Sequence, residues 1–181
     1  MVDNEGSVAH LSTKFGAPAD QAVPLLIAAR DAGLNPRGVS FHVGSQCLEV
    51  QRWFDAFDLT RKVFDEAAAA GLDLEMIDIG GGFPVSYGPH EVVDVAAMCQ
   101  AIDQRFRKLF GNGVRLVAEP GRAVVGDAMI LVTKVISEST RDGRNWLYFD
   151  DGTYGSFMEV LLYKMKYPVK ALTDGPLTPY V

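Results

Sequence analysis

The chain alternates strand-like and helix-like segments at a nearly constant interval. Short β-prone runs centred on Val39, Met76 and Leu116 stand 37 and 40 residues apart, and a segment with apolar residues at helical spacing separates each pair. Parallel strands need a crossover connection of a dozen or more residues, usually a helix. The interval therefore predicts βαβ units: an α/β fold in which consecutive strands lie parallel in one sheet.

The element boundaries follow from hydrophobic periodicity and from the glycines that end each helical segment. Helices are predicted at 21–32, 49–70 and 92–110, and strands at 38–43, 74–79 and 114–118. After Glu119 the pattern changes: residues 123–137 are rich in β-branched side chains and lack a helix signal. Continuous β structure is predicted there, followed by a turn at 140–144 and a further strand at 146–149.

Composition excludes several classes of function. The 181 residues suffice for one domain with a sizeable core, and their net charge of −6 disfavours binding to nucleic acid or to anionic membranes. No stretch approaches the roughly 20 apolar residues of a membrane span, and the acidic first ten residues do not resemble a signal peptide. Cys47 and Cys99 have the spacing of neither a disulfide framework nor a zinc site. A cytoplasmic protein without a metal site is predicted.

A polar or glycine-rich cluster follows each predicted strand. The clusters occupy 42–45, 78–84, 119–122 and 150–155. Because ligands bind at the carboxyl ends of parallel strands, we expect these clusters to converge on one face.

The residue types in these clusters fit a phosphorylated aromatic cofactor, although each has an ordinary structural explanation as well. Glycine amides, a hydroxyl and a guanidinium bind phosphate, but three glycines also make a simple turn. His42 offers a flat ring, or is a core histidine. Glu119 ends an apolar strand and is expected to be partly buried, either facing a cofactor's ring nitrogen or paired with Arg122. Together the clusters favour pyridoxal phosphate, whose ring is a better electron sink when its nitrogen is protonated.

Four motifs in order, HVGSQ, DIGGGFP, EPGR and DDGTYGSF, resemble the fold-type III pyridoxal-phosphate decarboxylases of basic amino acids. That family includes ornithine, lysine, diaminopimelate and arginine decarboxylases. The segment LSTKFGA is also similar, and the resemblance covers nearly the whole chain, closest to the ornithine branch. It implies a cofactor-binding set made of His42 stacked on the ring, Glu119 on the ring nitrogen, and Ser45, Gly80, Gly81, Gly82 and Arg122 on the phosphate.

The implied fold is the C-terminal half of a TIM (β/α) barrel running into the start of a β-domain. The implied division is a partial barrel at 1–122, a β segment at 123–145, a return to the barrel with a substrate-pocket segment at 146–171, and a linker at 172–181. The resemblance also implies a cytoplasmic homodimer that decarboxylates a small basic amino acid, ornithine first and lysine next, in polyamine biosynthesis.

The resemblance places several family residues outside this chain: the lysine that binds the cofactor covalently, the catalytic cysteine and a phosphate-binding tyrosine. Lys14 matches a different family position, and Cys47 and Cys99 do not match the motif of the catalytic cysteine. No catalytic residue is therefore assigned here, and the chain alone is expected to be inactive. His10 stands where eukaryotic ornithine decarboxylases carry an arginine. Two alternatives remain: a non-catalytic, decarboxylase-like binding module, and one half of a split enzyme with a complementing partner.

The substrate pocket is implied in the segment after YGSF. Glu159 is its only carboxylate. It is either a contact for the distal amine of the substrate or a surface charge on a short helix.

Overall fold

The computed structural model describes residues 15–87 and 93–172. They divide into two compact units: a first unit of 15–86 with 93–128, and a second of Tyr87 with 129–172. Positions 1–14, and with them His10, Lys14 and most of the LSTKFGA motif, lie outside the described residues. Within the described ranges, no helix is both long enough and apolar enough to cross a membrane.

The first unit is an α/β fold with a parallel sheet, as predicted. Its strands are β1 (Gly38–Ser40), β2 (Met76–Asp78) and β3 (Arg115–Val117), in the order β1-β2-β3. Val39 pairs with Ile77, and Ile77 with Leu116, in parallel register. The helices that precede the three strands are α1 (Ala19–Asp31), α2 (Gln51–Ala69) and α3 (Val95–Phe110).

The hydrophobic core lies between the sheet and the helices. Ile77 of β2 and Phe57 of α2 are fully buried. The Phe57 ring contacts three other aromatic rings, those of Phe41, Phe106 and Phe110, with centroids 5.8 to 6.1 Å away. Apolar residues at helical spacing therefore pack as the periodicity predicted, and they hold the carboxyl ends of the strands in place.

The helix boundaries differ slightly from prediction for local reasons. Helix α3 begins at Val95 rather than residue 92, because the Asp94 side chain accepts a hydrogen bond from the Ala97 amide at 2.9 Å and caps the helix there.

The predicted β structure over 123–137 is wrong in its first part. Residues Arg122–Val125 form a short helix, α4, and the regular strand β4 spans only Val135–Arg141. The amides of Val124 and Val125 donate to the Gly121 carbonyl, which closes a helical turn despite the β-branched side chains. A short apolar run does not distinguish a strand from a helical turn by periodicity.

The second unit contains an antiparallel hairpin of β4 and β5 (Arg144–Phe149), followed by a short helix α5 (Met158–Tyr163). The hairpin turn is confined to Asp142 and Gly143, both with positive φ, which matches the twist of the paired strands. The predicted turn at 140–144 is therefore narrower than expected.

Candidate functional site

The candidate site lies where β1, β2 and β3 end, and three of the four predicted clusters meet there. A Cβ atom on Gly81 would lie 2.9 Å from the backbone oxygen of Glu119 and 3.2 Å from Nε2 of His42. A Cβ atom on Gly80 would lie 2.5 Å from the Phe41 oxygen. Only glycine leaves the second cluster close enough to its two neighbours for all three to line one site.

The glycine loop presents two backbone donors for which the described residues supply no acceptor. Asp78 Oδ1 accepts the Gly80 amide at 2.9 Å, so that donor is occupied. In the part of the chain that the structure describes, the amides of Gly81 and Gly82 donate to no acceptor. Gly81 is buried. Buried amides are almost always paired, so this loop is suited to an acceptor supplied by a ligand.

His42 is held in one tautomer beside that loop. The Gly44 amide donates to its Nδ1 at 2.8 Å, which leaves the proton of the neutral ring on Nε2. Burial lowers the pKa of His42, and the negative charges of Glu119 and Asp78 oppose this to a smaller extent. The ring is therefore flat and neutral near pH 7.

Glu119 is exposed, and the expectation of a partly buried carboxylate is wrong in this structure. It lies two residues beyond the end of the short strand β3, which is at the edge of the described sheet and has a neighbour on one side only. Its backbone is nevertheless fixed, because its amide donates to the Gly80 carbonyl at 2.8 Å. The carboxylate is thus tied to the glycine loop through its own main chain.

Arg122 and Ser45 complete the predicted set in the first unit, and both are partly buried. Arg122 is the first residue of α4, and its carbonyl accepts the Gly126 amide at 2.8 Å. A Cβ atom on Gly126 would lie 3.0 Å from the Val85 side chain, so the end of α4 packs against the glycine-loop segment.

The fourth cluster and Glu159 belong to the second unit. Asp151 Oδ1 accepts the amides of Gly152 at 2.7 Å and Ser156 at 3.1 Å. Hydrogen bonds from Ser156, backed by the Gly152 amide, lower the pKa of Asp151. Tyr167 donates to Glu159 Oε2 at 2.7 Å, and its ring contacts Phe157. The Tyr167 hydroxyl therefore fixes the position of the Glu159 carboxylate on the short helix.

Sequence reasoning gave no role to Asp78, Gly44 or Gln46. Asp78 had a usable signal, because an aspartate two residues before a glycine commonly accepts that glycine's amide in an Asx turn. The hydrogen bond from the Gly44 amide to the His42 ring is also local, but no sequence pattern predicts it. Gln46 bonds to residue 85, and nothing in the sequence connects positions 39 residues apart.

Comparison with known proteins fits this geometry. The family of pyridoxal-dependent decarboxylases, through its pyridoxal binding domain, matches residues 3–126. The chain belongs to the pyridoxal-dependent decarboxylase family. Residues 3–126 include all seven residues predicted to bind the cofactor, and pyridoxal 5′-phosphate is the cofactor of this family.

Individual members of the family resemble the chain along most of its length. The lysine/ornithine decarboxylase of Selenomonas ruminantium is 42% identical over 178 residues, which cover 98% of this chain and 45% of that protein. The solved structure of a protein named SrLDC, in complex with pyridoxal phosphate (PLP) and cadaverine, has a TM-score of 0.82 at 42% identity. That match covers 93% of this chain and 44% of SrLDC. An agmatine-bound arginine decarboxylase of Paramecium bursaria Chlorella virus has a TM-score of 0.84 at 31% identity. That match covers 97% of this chain and 47% of the viral one. The chain spans less than half the length of these relatives.

The residues of the candidate site fit the family's cofactor. The buried Gly81 amide calls for an anionic acceptor, and the neighbouring Gly82 amide adds a second donor. Gly81 packs closely between its neighbours: a Cβ atom there would meet the Glu119 backbone oxygen and His42 Nε2, so the His42 ring and the Glu119 main chain both adjoin the glycine loop. A flat neutral ring and the main chain of a residue that bears a carboxylate therefore adjoin the loop of backbone donors, and these residue types match the needs of an aromatic ring with a protonated nitrogen.

Proposed function

We propose that this chain forms the cofactor-binding part of a decarboxylase that acts on a basic amino acid. The observation that carries the proposal is the glycine loop beside His42 and Glu119, whose Gly81 and Gly82 amides have no acceptor among residues 15–87 and 93–172. Membership of the pyridoxal-dependent decarboxylase family supports the same reading.

In this proposal the amides of Gly81 and Gly82, the Ser45 hydroxyl and the Arg122 guanidinium bind the cofactor's phosphate. Charge-assisted hydrogen bonds of this kind are about twice as strong as neutral ones. The Gly80 amide already bonds to Asp78, so Gly80 contributes by shaping the loop rather than by donating. Its φ of +62° suits a glycine at that bend.

His42 and Glu119 orient the ring of the cofactor. The neutral imidazole supplies a flat surface for stacking without adding positive charge. The Glu119 carboxylate holds a proton on the ring nitrogen. Bound pyridoxal 5′-phosphate supplies the electron sink that takes up the electron pair left when the substrate's carboxylate departs as CO₂.

Ornithine is the proposed substrate, with lysine next, and the reaction would belong to polyamine biosynthesis. Glu159 is the proposed contact for the distal ammonium group of the substrate. Its carboxylate is held by the Tyr167 hydroxyl, and the nearby rings of Phe157 and Tyr167 suit a cation. The 42% identical relative is a lysine/ornithine decarboxylase, which supports this substrate class.

The wider architecture is also proposed by family membership. The parallel strands of the first unit would be part of a TIM barrel within 1–122. In the segment 123–145 the β structure would begin at β4, after the short helix α4, and the pocket segment at 146–171 and the linker at 172–181 would follow. The complete enzyme would be a cytoplasmic homodimer.

Two measurements test the proposed function. Equilibrium dialysis of the chain against pyridoxal 5′-phosphate should show saturable binding at one site. Release of labelled CO₂ from carboxyl-labelled ornithine, lysine and arginine should be absent for the chain alone. It should appear, with ornithine preferred, when a polypeptide carrying the missing lysine and cysteine is added. Absence of cofactor binding, or turnover by the chain alone, would contradict the account.

A further inference from the structure

Gln46 makes a two-point hydrogen bond to the backbone of Val85. Its Nε2 donates to the Val85 carbonyl at 2.6 Å, and its Oε1 accepts the Val85 amide at 3.1 Å. The side chain thus pairs with a main chain 39 residues away in the way a neighbouring strand would. Gln46 is only 9% exposed, so both bonds are largely sheltered from water.

The backbone of Gln46 is held in an unfavourable conformation. Its φ is +55°, in the left-handed region that residues other than glycine rarely adopt. Such strain persists where the surroundings over-determine it, and it is concentrated at functional sites. The position is therefore maintained by its contacts rather than by local preference.

The bonds of Gln46 connect the three segments that carry the candidate cofactor ligands. Ser45 precedes it directly, and the next amide along, that of Cys47, donates to the Gly82 carbonyl at 2.9 Å. Val85 ends the glycine-loop segment, and its side chain packs against Gly126 at the end of α4. That helix begins with Arg122. A single side chain therefore ties the Ser45 loop to the glycine loop, and through Val85 it reaches the helix that bears Arg122.

From this arrangement we infer that Gln46 is a positioning residue for cofactor binding. It touches no ligand in this role. It sets the separation between the Ser45 hydroxyl on one loop and the Gly81 and Gly82 amides on the other, and it steadies Arg122 through Val85. Phosphate recognition depends on donors held at fixed spacing, so loosening this clamp should weaken affinity even in folded protein. The inference rests on the proposed function.

The test compares Gln46→Met with wild type and with Gln51→Met as a matched control. Gln51 is an exposed glutamine on α2 whose side chain makes a local hydrogen bond to Asp55 at 2.8 Å. The dissociation constant for pyridoxal 5′-phosphate, measured by equilibrium dialysis, should rise about tenfold in Gln46→Met, since two sheltered hydrogen bonds are lost. It should not change in Gln51→Met. Hydrogen exchange at the Val85 amide should quicken in Gln46→Met alone.

A second variant, Gln46→Gly, separates positioning from stability. Glycine relieves the left-handed strain, so its melting temperature should stay close to that of wild type while the affinity loss remains. The inference would be overturned if wild type, Gln46→Met and Gln46→Gly bound pyridoxal 5′-phosphate with equal affinity. It would also be overturned if the fraction of unfolded protein in each variant fully explained its loss of affinity. Absence of binding by wild type would instead contradict the proposed function itself.

Discussion

The backbone amide of Gly44 donates a hydrogen bond to Nδ1 of His42 at 2.8 Å, and this contact sets the protonation state of the imidazole. An amide N–H requires a lone pair on Nδ1, so the proton of the neutral ring lies on Nε2. Burial also disfavours the charged ring and lowers the pKa of His42, more strongly than Glu119 and Asp78 raise it. His42 should therefore titrate below the ordinary histidine value of about 6.5.

Nitrogen-15 NMR of the histidine side chains checks this prediction, with the His42→Gln variant identifying the signal. The spectrum at pH 7 should show Nε2 protonated and Nδ1 unprotonated. Because the folded pKa is the lower one, His42 contributes stability that is fully present above the unfolded pKa. That contribution is lost as the pH falls toward the folded pKa. A pKa above 6.5, or a proton on Nδ1, would contradict the account.

Gly81→Ala should weaken cofactor binding without straining the backbone at residue 81, because the φ of Gly81 is not positive. The new methyl group would meet the Glu119 backbone oxygen at 2.9 Å and His42 Nε2 at 3.2 Å, and the backbone atom cannot rotate away. Overpacking of this kind costs about 1–3 kcal/mol of folding free energy. Because the added methyl group also displaces the glycine loop from Glu119 and His42, cofactor affinity should fall about tenfold.

Gly113→Ala is the matched control, because a Cβ atom there meets nothing within 4 Å. Titration of both variants with pyridoxal 5′-phosphate should show loss only in Gly81→Ala. Equal affinity of the two variants would mean that the close packing of Gly81 against His42 and Glu119 does not shape the binding site.

The core of the first unit provides a test of the fold. Ile77 is 0% exposed at the centre of the sheet, whereas Ile130 is 90% exposed. Ile77→Ala should lower the free energy of unfolding by about 2–5 kcal/mol, through lost burial and a residual cavity. Ile130→Ala should change it by less than about 0.5 kcal/mol. Urea unfolding followed by circular dichroism measures both, and similar losses in the two variants would refute the assignment of the core.

The sequence was sufficient to predict the three parallel strands of the first unit, the helices that precede them and the meeting of three clusters. Strand spacing and helical periodicity are local properties of the sequence. They predict the fold correctly because the apolar faces that they define form the core around Phe57. The parallel direction of the three strands followed from them, whereas the register that pairs Val39 with Ile77 and Ile77 with Leu116 is seen only in the structure.

The features that escaped prediction depend on contacts between distant residues or on local bonds without a distinctive pattern. The run after Glu119 contains β-branched residues, yet Gly121 closes a helical turn there. Exposure of Glu119 depends on the edge position of β3, which only the sheet order reveals. Gln46 bonds to Val85 across 39 residues, and no periodicity connects them.

The Asp151 loop of the second unit should weaken in acid. Hydrogen bonds from Ser156 and Gly152 lower the pKa of Asp151, so their contribution is present above the ordinary aspartate pKa of about 3.9. It is lost as the pH falls through the lowered value. The Ser156 amide shift in a proton–nitrogen NMR titration should follow Asp151, and Asp151→Asn should abolish that transition. An Asp151 pKa at or above 3.9 would count against the loop as described.

The most direct test of the central claim compares two ligands that differ only in the phosphate. The dissociation constants of the chain for pyridoxal 5′-phosphate and for pyridoxal are measured by equilibrium dialysis, with phosphorus-31 NMR of the bound phosphate alongside. The account predicts one saturable site, affinity for pyridoxal weaker by at least about tenfold because the Gly81 and Gly82 amides lose their acceptor, and a shifted phosphorus resonance. Equal affinity for the two ligands, or no binding of either, would contradict it.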